Sequence, residues 1–190
     1  QSGRIYCLFW RRVMTPIFDL RGNIIAFGGR VLDDSKPKYV NSPETLVYHK
    51  SDTVFALQIA KKSASRRFVL CEGYMDVIAM HQAGFTNAVA SLGTAFTSQH
   101  AMLIKRYTDQ VILTYDSDGA GVKAALRAIP ILKEVGISCK VLNMKPYKDP
   151  DEFIKNMGAE AFQERIDQAQ NSFLFEIEVL KRDYNLEDPE

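Results

Sequence analysis

Four short apolar runs, at residues 68–71, 88–90, 111–115 and 139–143, alternate with stretches of helical spacing at 74–83, 98–107 and 119–135. Strand-then-helix alternation of this kind restricts the chain to an α/β fold. Crossovers of about ten residues join neighbouring strands in parallel, with helices covering the sheet. Gly84 and Gly136 sit where two of the helices should close. Pro130 falls inside the longest helical pattern, and the apolar stripe continues through Ile131, Leu132 and Val135. A kink is therefore expected there rather than a stop. Beyond Asp151 the pattern reads as wholly helical, with Phe162, Ile166, Phe173, Ile177 and Leu180 on one apolar face, as the start of a further helical unit.

The N-terminal third reads differently. Pro16-Ile17-Phe18 and Ile24-Ile25-Ala26-Phe27 flank Asp19-Leu20-Arg21-Gly22-Asn23, which predicts a β-hairpin. Residues 33–43 are rich in Asp, Ser, Lys and Pro and are expected to run as an exposed loop. Phe55, Leu57, Ile59 and Ala60 give residues 52–63 helical spacing. Charge divides along the same line: residues 1–67 hold 12 Lys/Arg against 5 Asp/Glu, and the remainder holds 12 against 18. A net charge of +1 thus conceals a basic segment followed by an acidic one. The expected division is a basic α+β subdomain at 1–67, an α/β subdomain at 68–152 and a helical segment at 153–190.

Cys7, Cys71 and Cys139 are odd in number and widely spaced, which suggests neither a disulfide framework nor a zinc site. A reducing cytoplasm suits them. No apolar run approaches the length that spans a bilayer, so no membrane partner is expected. The chain begins at Gln1 rather than Met, which reads as an excised or truncated piece.

Carboxylates mark the strand ends. Glu72 and Asp76 follow the run at 68–71, Asp116 and Asp118 follow that at 111–115, and Asp149 and Asp151 come after the last. Open α/β sheets place ligands beyond the carboxyl ends of their strands. Acids gathered there repel one another unless they share a hard cation such as magnesium. Asp116 and Asp118, two apart, can point the same way, and Gly119 and Gly121 leave room for a phosphate at the following helix. Helix capping is the plainer alternative for Asp118, Asp76 and Asp151, the last after a proline turn. Glu72 is harder to explain that way, because a carboxylate directly after four apolar strand residues gains little without a partner.

Several stretches, taken in order, resemble the RNA-polymerase core of bacterial DnaG-type primases. They are Arg12-Val13-Met14-Thr15-Pro16-Ile17, Gly28-Gly29-Arg30-Val31-Leu32, Pro37-Lys38-Tyr39-Val40-Asn41-Ser42-Pro43-Glu44-Thr45, Glu72-Gly73-Tyr74-Met75-Asp76 and Ala90-Ser91-Leu92-Gly93-Thr94. With the Asp-x-Asp-Gly and Asp-Pro-Asp elements they resemble a Toprim domain in particular. The resemblance covers residues 11–175. It implies a Toprim-type, mostly parallel sheet and synthesis of RNA primers from ribonucleoside triphosphates on single-stranded DNA. More than one magnesium or manganese ion is implied in the acidic cleft, with no zinc in this stretch.

By the same resemblance Glu72, Asp116 and Asp118 are the catalytic metal ligands, with Asp76, Asp149 and Asp151 as support or alternative ligands. Arg12, Arg30, Lys38, Tyr39, Asn41 and Lys50 form the surface for template and nucleotide, and His49 stands beside it. The family's helicase-binding module at the C-terminus and its N-terminal zinc module are absent from the sequence, so the replicative helicase would be met through a module not present here. Cys7 and Leu8 stand where the family has an acidic and a basic residue. Another Toprim phosphodiester enzyme, a nuclease or a topoisomerase, and a non-catalytic nucleic-acid-binding fragment are the alternatives.

Overall fold

The computed structural model describes residues 7–115 and 119–183. Its larger sheet has five strands, β4 (Arg67–Cys71), β5 (Ala88–Ala90), β6 (Gln110–Thr114), β7 (Ser138–Val141) and β8 (Gln170–Asn171), in the order β5-β4-β6-β7-β8. The first four are parallel, as the alternation predicts. Successive side chains of β4 point to opposite faces, and both faces are buried. Val69 and Cys71 join one core cluster, with Val77 and Met80 of α2 (Tyr74–Gln82) and Phe153 and Phe162 of α5 (Pro150–Asp167). Phe68 and Leu70 join the other, with Ala101 and Ile104 of α3 (Ser98–Lys105) and Ala125, Ile129 and Leu132 of α4 (Gly119–Glu134). Fully burying a side chain such as Leu70 contributes about 2 kcal/mol relative to leaving it exposed.

The connection after β4 leads outward to β5, whereas the connection after β6 leads the other way to β7. The sheet therefore changes winding direction between β4 and β6, and a crevice opens at their carboxyl ends. Pro130 lies inside α4, and the helix runs on through it to Glu134.

The C-terminal stretch is not wholly helical. Gly158, at φ 85°, breaks α5, and β8 then pairs antiparallel with β7 before α6 (Ser172–Asp183). A two-residue strand leaves no periodicity in a sequence; it exists because the outer side of β7 offers unpaired backbone groups. The proposed apolar face also divides: Phe162 and Ile166 are buried, whereas Phe173 and Leu180 are more than half exposed.

The basic segment forms an antiparallel sheet of β1 (Val13–Phe18), β2 (Ile24–Arg30) and β3 (Tyr39–Asn41). The hairpin is where it is predicted. Asp19 accepts from the Arg21 and Asn23 amides at 2.8 Å each and from the Asn23 side chain at 2.8 Å, with Gly22 at φ 94°. Two expectations change. Residues 33–43 include β3, which pairs with Gly28, Gly29 and Arg30 of β2, so the segment is not all loop. The helix expected over 52–63 contracts to α1 (Leu57–Ala60). Phe55 leaves the helical path to exchange backbone hydrogen bonds with Ala90 of β5, at 2.8 and 3.4 Å, and Ala56 takes a left-handed φ of 63° between the two conformations.

The two sheets are joined by polar contacts as well. The Asn41 amide donates to the Leu92 carbonyl at 3.0 Å, and the Thr97 hydroxyl to the Ser51 carbonyl at 2.6 Å. His100 is wholly buried. Its Nδ1 accepts from the Thr97 amide at 3.2 Å, so Nε2 carries the proton and donates to the Lys50 carbonyl at 2.8 Å. Burial pushes its pKa below the ordinary 6.5, and the bond to Lys50 offsets that only in part. The folded state thus holds His100 neutral. Its contribution to stability is complete above pH 6.5 and is lost as pH falls through the lower folded value. Thermal midpoints should drop between about pH 7 and pH 5 more steeply in the parent than in His100→Gln. Parallel curves would exclude His100 as the titrating group.

Candidate active site

Beyond the carboxyl ends of β4 and β5 lies a cleft of about 330 Å³, lined also by residues at and beside β3 of the smaller sheet. Glu72 emerges exposed as β4 ends, the first charged side chain after the buried run Phe68 to Cys71. Gly73 is extended and starts α2. Asp76, in the first turn of that helix, accepts from the Gly73 amide at 3.2 Å and so completes a capping arrangement. Its carboxylate also borders the cleft, so the capping and site readings coexist in one residue. From the other end of the chain, Asp149 borders the same cleft and caps α5, accepting from the Glu152 amide at 2.8 Å. The cap is Asp149 rather than Asp151. Asp151 pairs with Lys155 at 2.6 Å, one helical turn on, and does not line the cleft.

Asp116 and Asp118 lie outside the described residues. Pairing of Thr114 with Cys71 brings the end of β6 alongside the residue preceding Glu72. Burial, with Glu72 nearby, pushes the Tyr115 hydroxyl pKa well above its ordinary value. Among the described residues no three His, Cys, Asp or Glu side chains close into a metal-holding group. The donors that border the cleft are carboxylates, with no His or Cys among them. Such hard oxygen donors suit magnesium or manganese.

The same cleft is lined by Tyr39 and Asn41 of β3 and by Lys38, the residue before it. The Tyr39 ring lies edge-on to Tyr74 at 5.5 Å, with the Arg30 guanidinium 5.9 Å and the Lys38 ammonium 5.7 Å from its centroid. Arg12 stands behind this group and donates to the carbonyls of Pro37 at 2.6 Å, Lys38 at 3.2 Å and Gly29 at 3.4 Å. It braces the segment that carries Lys38. Lys50 is held by its backbone, to Glu44 and His100, and is not among the cleft-lining residues. His49 pairs with Glu44 at 3.6 Å.

Three acids and Lys38, Tyr39 and Asn41, all named from the sequence, thus meet in one cleft. Tyr74, Ser91, Gly93 and Lys148 also line it, and sequence reasoning assigned them no role. Tyr74 had a signal available, since it lies between Glu72 and Asp76 in one matching stretch. The Tyr74 hydroxyl, Asn41 Oδ1 and Arg30 Nε are buried and make no hydrogen bond among the described residues.

Comparison with known proteins follows the same two halves. A family described as "DNA primase catalytic core, N-terminal domain" matches residues 1–61, and one described as "Toprim-like" matches residues 69–154. DNA primase of Clostridium acetobutylicum is 45% identical over 191 aligned positions, which take in all of this chain and 32% of that protein. The chain therefore spans about a third of the length of such relatives. The E. coli primase catalytic core superposes with a TM-score of 0.89 at 41% identity, covering 99% of this chain and 62% of that one. A DnaG primase catalytic domain solved bound to single-stranded DNA superposes with a TM-score of 0.85 at 40% identity, covering 94% and 58%. Matched in both sheets and across the cleft between them, the chain belongs to the bacterial DnaG-type DNA primase family and carries part of its catalytic core.

Proposed function

We propose that this chain carries the catalytic centre for synthesis of short RNA primers on a single-stranded DNA template from ribonucleoside triphosphates. The observation that carries the reading is one cleft lined both by the acids Glu72, Asp76 and Asp149 and by Lys38, Tyr39 and Asn41. A nucleotide is itself bipolar in this sense: its phosphates need cations, and its sugar and base need neutral contacts. The single-stranded DNA bound to a related catalytic domain supports the choice of template.

In this reading Lys38 neutralises phosphate and Tyr39 offers a ring face for stacking. Arg12 keeps the Lys38 segment in place through its bonds to the Pro37 and Lys38 carbonyls. Arg30 and Lys50 extend the basic surface along the template. Glu72, Asp116 and Asp118 hold the divalent ions, while Asp76, Asp149 and Asp151 support them or serve as alternative ligands. When bound, magnesium or manganese neutralises triphosphate charge and lowers the pKa of the attacking hydroxyl. The basic part at 1–67 presents nucleic acid to the acidic part at 68–152, with 153–190 as the beginning of a helical unit. RNA primer and the replicative helicase complete the partners, the latter through a module outside this sequence. Among the described residues no helix is long and apolar enough to cross a membrane. The unpaired cysteines support a cytoplasmic setting.

Two measurements test the reading. Glu72→Gln, Asp116→Asn or Asp118→Asn should each lower primer synthesis from labelled ribonucleotides by more than about 100-fold while far-UV circular dichroism is unchanged. Retained synthesis in these variants would remove the carboxylates from catalysis, and strand cleavage without synthesis would favour a nuclease. For Lys38→Ala, the dependence of single-stranded DNA binding on log salt should flatten by about 0.7, the contribution of one phosphate contact. An unaltered slope would take Lys38 off the binding surface.

A further inference from the structure

The cleft floor contains hydrogen-bonding groups that the fold itself does not use. Tyr74 is only 5% exposed, and its buried hydroxyl has no partner among the described residues. Its ring is fixed by Tyr39 at 5.5 Å and by Phe55 at 5.6 Å, so the hydroxyl cannot swing to another partner without disrupting both contacts. Asn41 is fixed too. Its Nδ2 donates to the Leu92 carbonyl, which assigns the amide orientation and leaves Oδ1 buried and unpartnered.

The two residues are neighbours over Gly28. A methyl group placed on Gly28 would lie 3.1 Å from Asn41 Oδ1 and 3.2 Å from both Cε1 and Cζ of Tyr74. A side chain at that position would crowd both. A buried polar group without a partner costs about 1–3 kcal/mol, so two in one place are expected to have a partner when the site is filled.

The chemistry of the pair selects the partner. An amide oxygen only accepts hydrogen bonds, and phosphate oxygens near neutral pH also chiefly accept, so phosphate cannot satisfy Asn41 Oδ1. Phosphate suits the ammonium of Lys38, three residues before Asn41. An alcohol meets both demands of the pair, since one hydroxyl can donate to Oδ1 and accept from the Tyr74 hydroxyl. On a nucleotide the alcohols are on the sugar, and the 2′-hydroxyl separates a ribonucleotide from its deoxy counterpart.

We propose that the Tyr74 hydroxyl and Asn41 Oδ1 form a sugar-hydroxyl subsite, in which Tyr74 determines the preference for ribonucleotides over 2′-deoxyribonucleotides. This inference rests on the nucleotide-polymerising reading of the cleft. A site built to hydrogen-bond a substrate hydroxyl discriminates strongly against the analogue lacking it, and loses that discrimination when its own partner is removed.

The test is kcat/KM for ATP and for dATP, measured with the full chain on a single-stranded template, for the parent and for Tyr74→Phe. The ratio of ATP to dATP should fall about tenfold or more in the variant. Tyr48→Phe provides the comparison, because Tyr48 also has a buried, unpartnered hydroxyl but does not line the cleft. Its ratio should stay at the parental value. Tyr74→Phe is expected to fold, since removing an unsatisfied buried hydroxyl is close to neutral or stabilising; its thermal midpoint checks this. An unchanged ratio, or an equal loss for both triphosphates, would overturn the subsite. A parent protein that incorporates neither nucleotide would overturn the polymerising reading itself, and the subsite with it.

Discussion

Burial of β4 and β6 on both faces is the constraint from which the site follows. Phe68, Val69, Leu70 and Cys71, and beside them Val111, Ile112 and Leu113, are at most 1% exposed. Neither strand can carry an unpaired charge along its length without a large desolvation cost. Charge is therefore confined to the strand ends, and pairing of Cys71 with Thr114 makes those ends neighbours. The change of winding direction between the two strands keeps helices from closing over that point. Apolar packing on either side of the sheet thus determines where carboxylates can gather.

The basic part of the cleft depends on fewer interactions. Tyr39 and Asn41 are held on β3 by its three residue pairs with β2, Lys38 accepts from the Val31 amide just before it, and β3 reaches the larger sheet through the Asn41 bond to Leu92 and the Tyr39 contact with Tyr74. Arg12 and His100 act behind the surface. One braces the carbonyls beside Lys38, and the other clamps the Lys50 carbonyl. The acidic wall is therefore built from deep core and the basic wall from a small set of hydrogen bonds. In the proposed reading, that asymmetry suits a surface that accepts a template strand of variable sequence.

Much of this was legible in the residue order, for physical reasons. Apolar runs bounded by glycine and helical spacing announce a parallel sheet, and Glu72 stands out because it directly follows such a run. Asp19 and Gly22 announce their hairpin through turn chemistry. What escaped depends on partners distant in the chain. β3 exists because Tyr39, Val40 and Asn41 pair with Arg30, Gly29 and Gly28 of β2, and no local pattern encodes that pairing. The contraction of α1 follows from Phe55 bonding to Ala90, thirty-five positions on, where backbone pairing prevails over helical spacing. Asp149 rather than Asp151 became the cap because Pro150 fits the first helical position, which leaves the preceding residue to accept from Glu152. Tyr74 was given no role from the sequence because its significance lies in a hydroxyl without a partner among the described residues, and partners are visible only in three dimensions.

The bridge between Phe55 and Ala90 has a consequence for how the two halves can exist apart. β5 is the outermost parallel strand on its side of the larger sheet, and its three residues are wholly buried. The basic half supplies the rung that shields that border. Severed near Arg67, the acidic half would present a bare apolar margin with open backbone groups, a template for sticking to its own copies. Continuity of the chain across this junction therefore protects solubility as well as aligning the cleft.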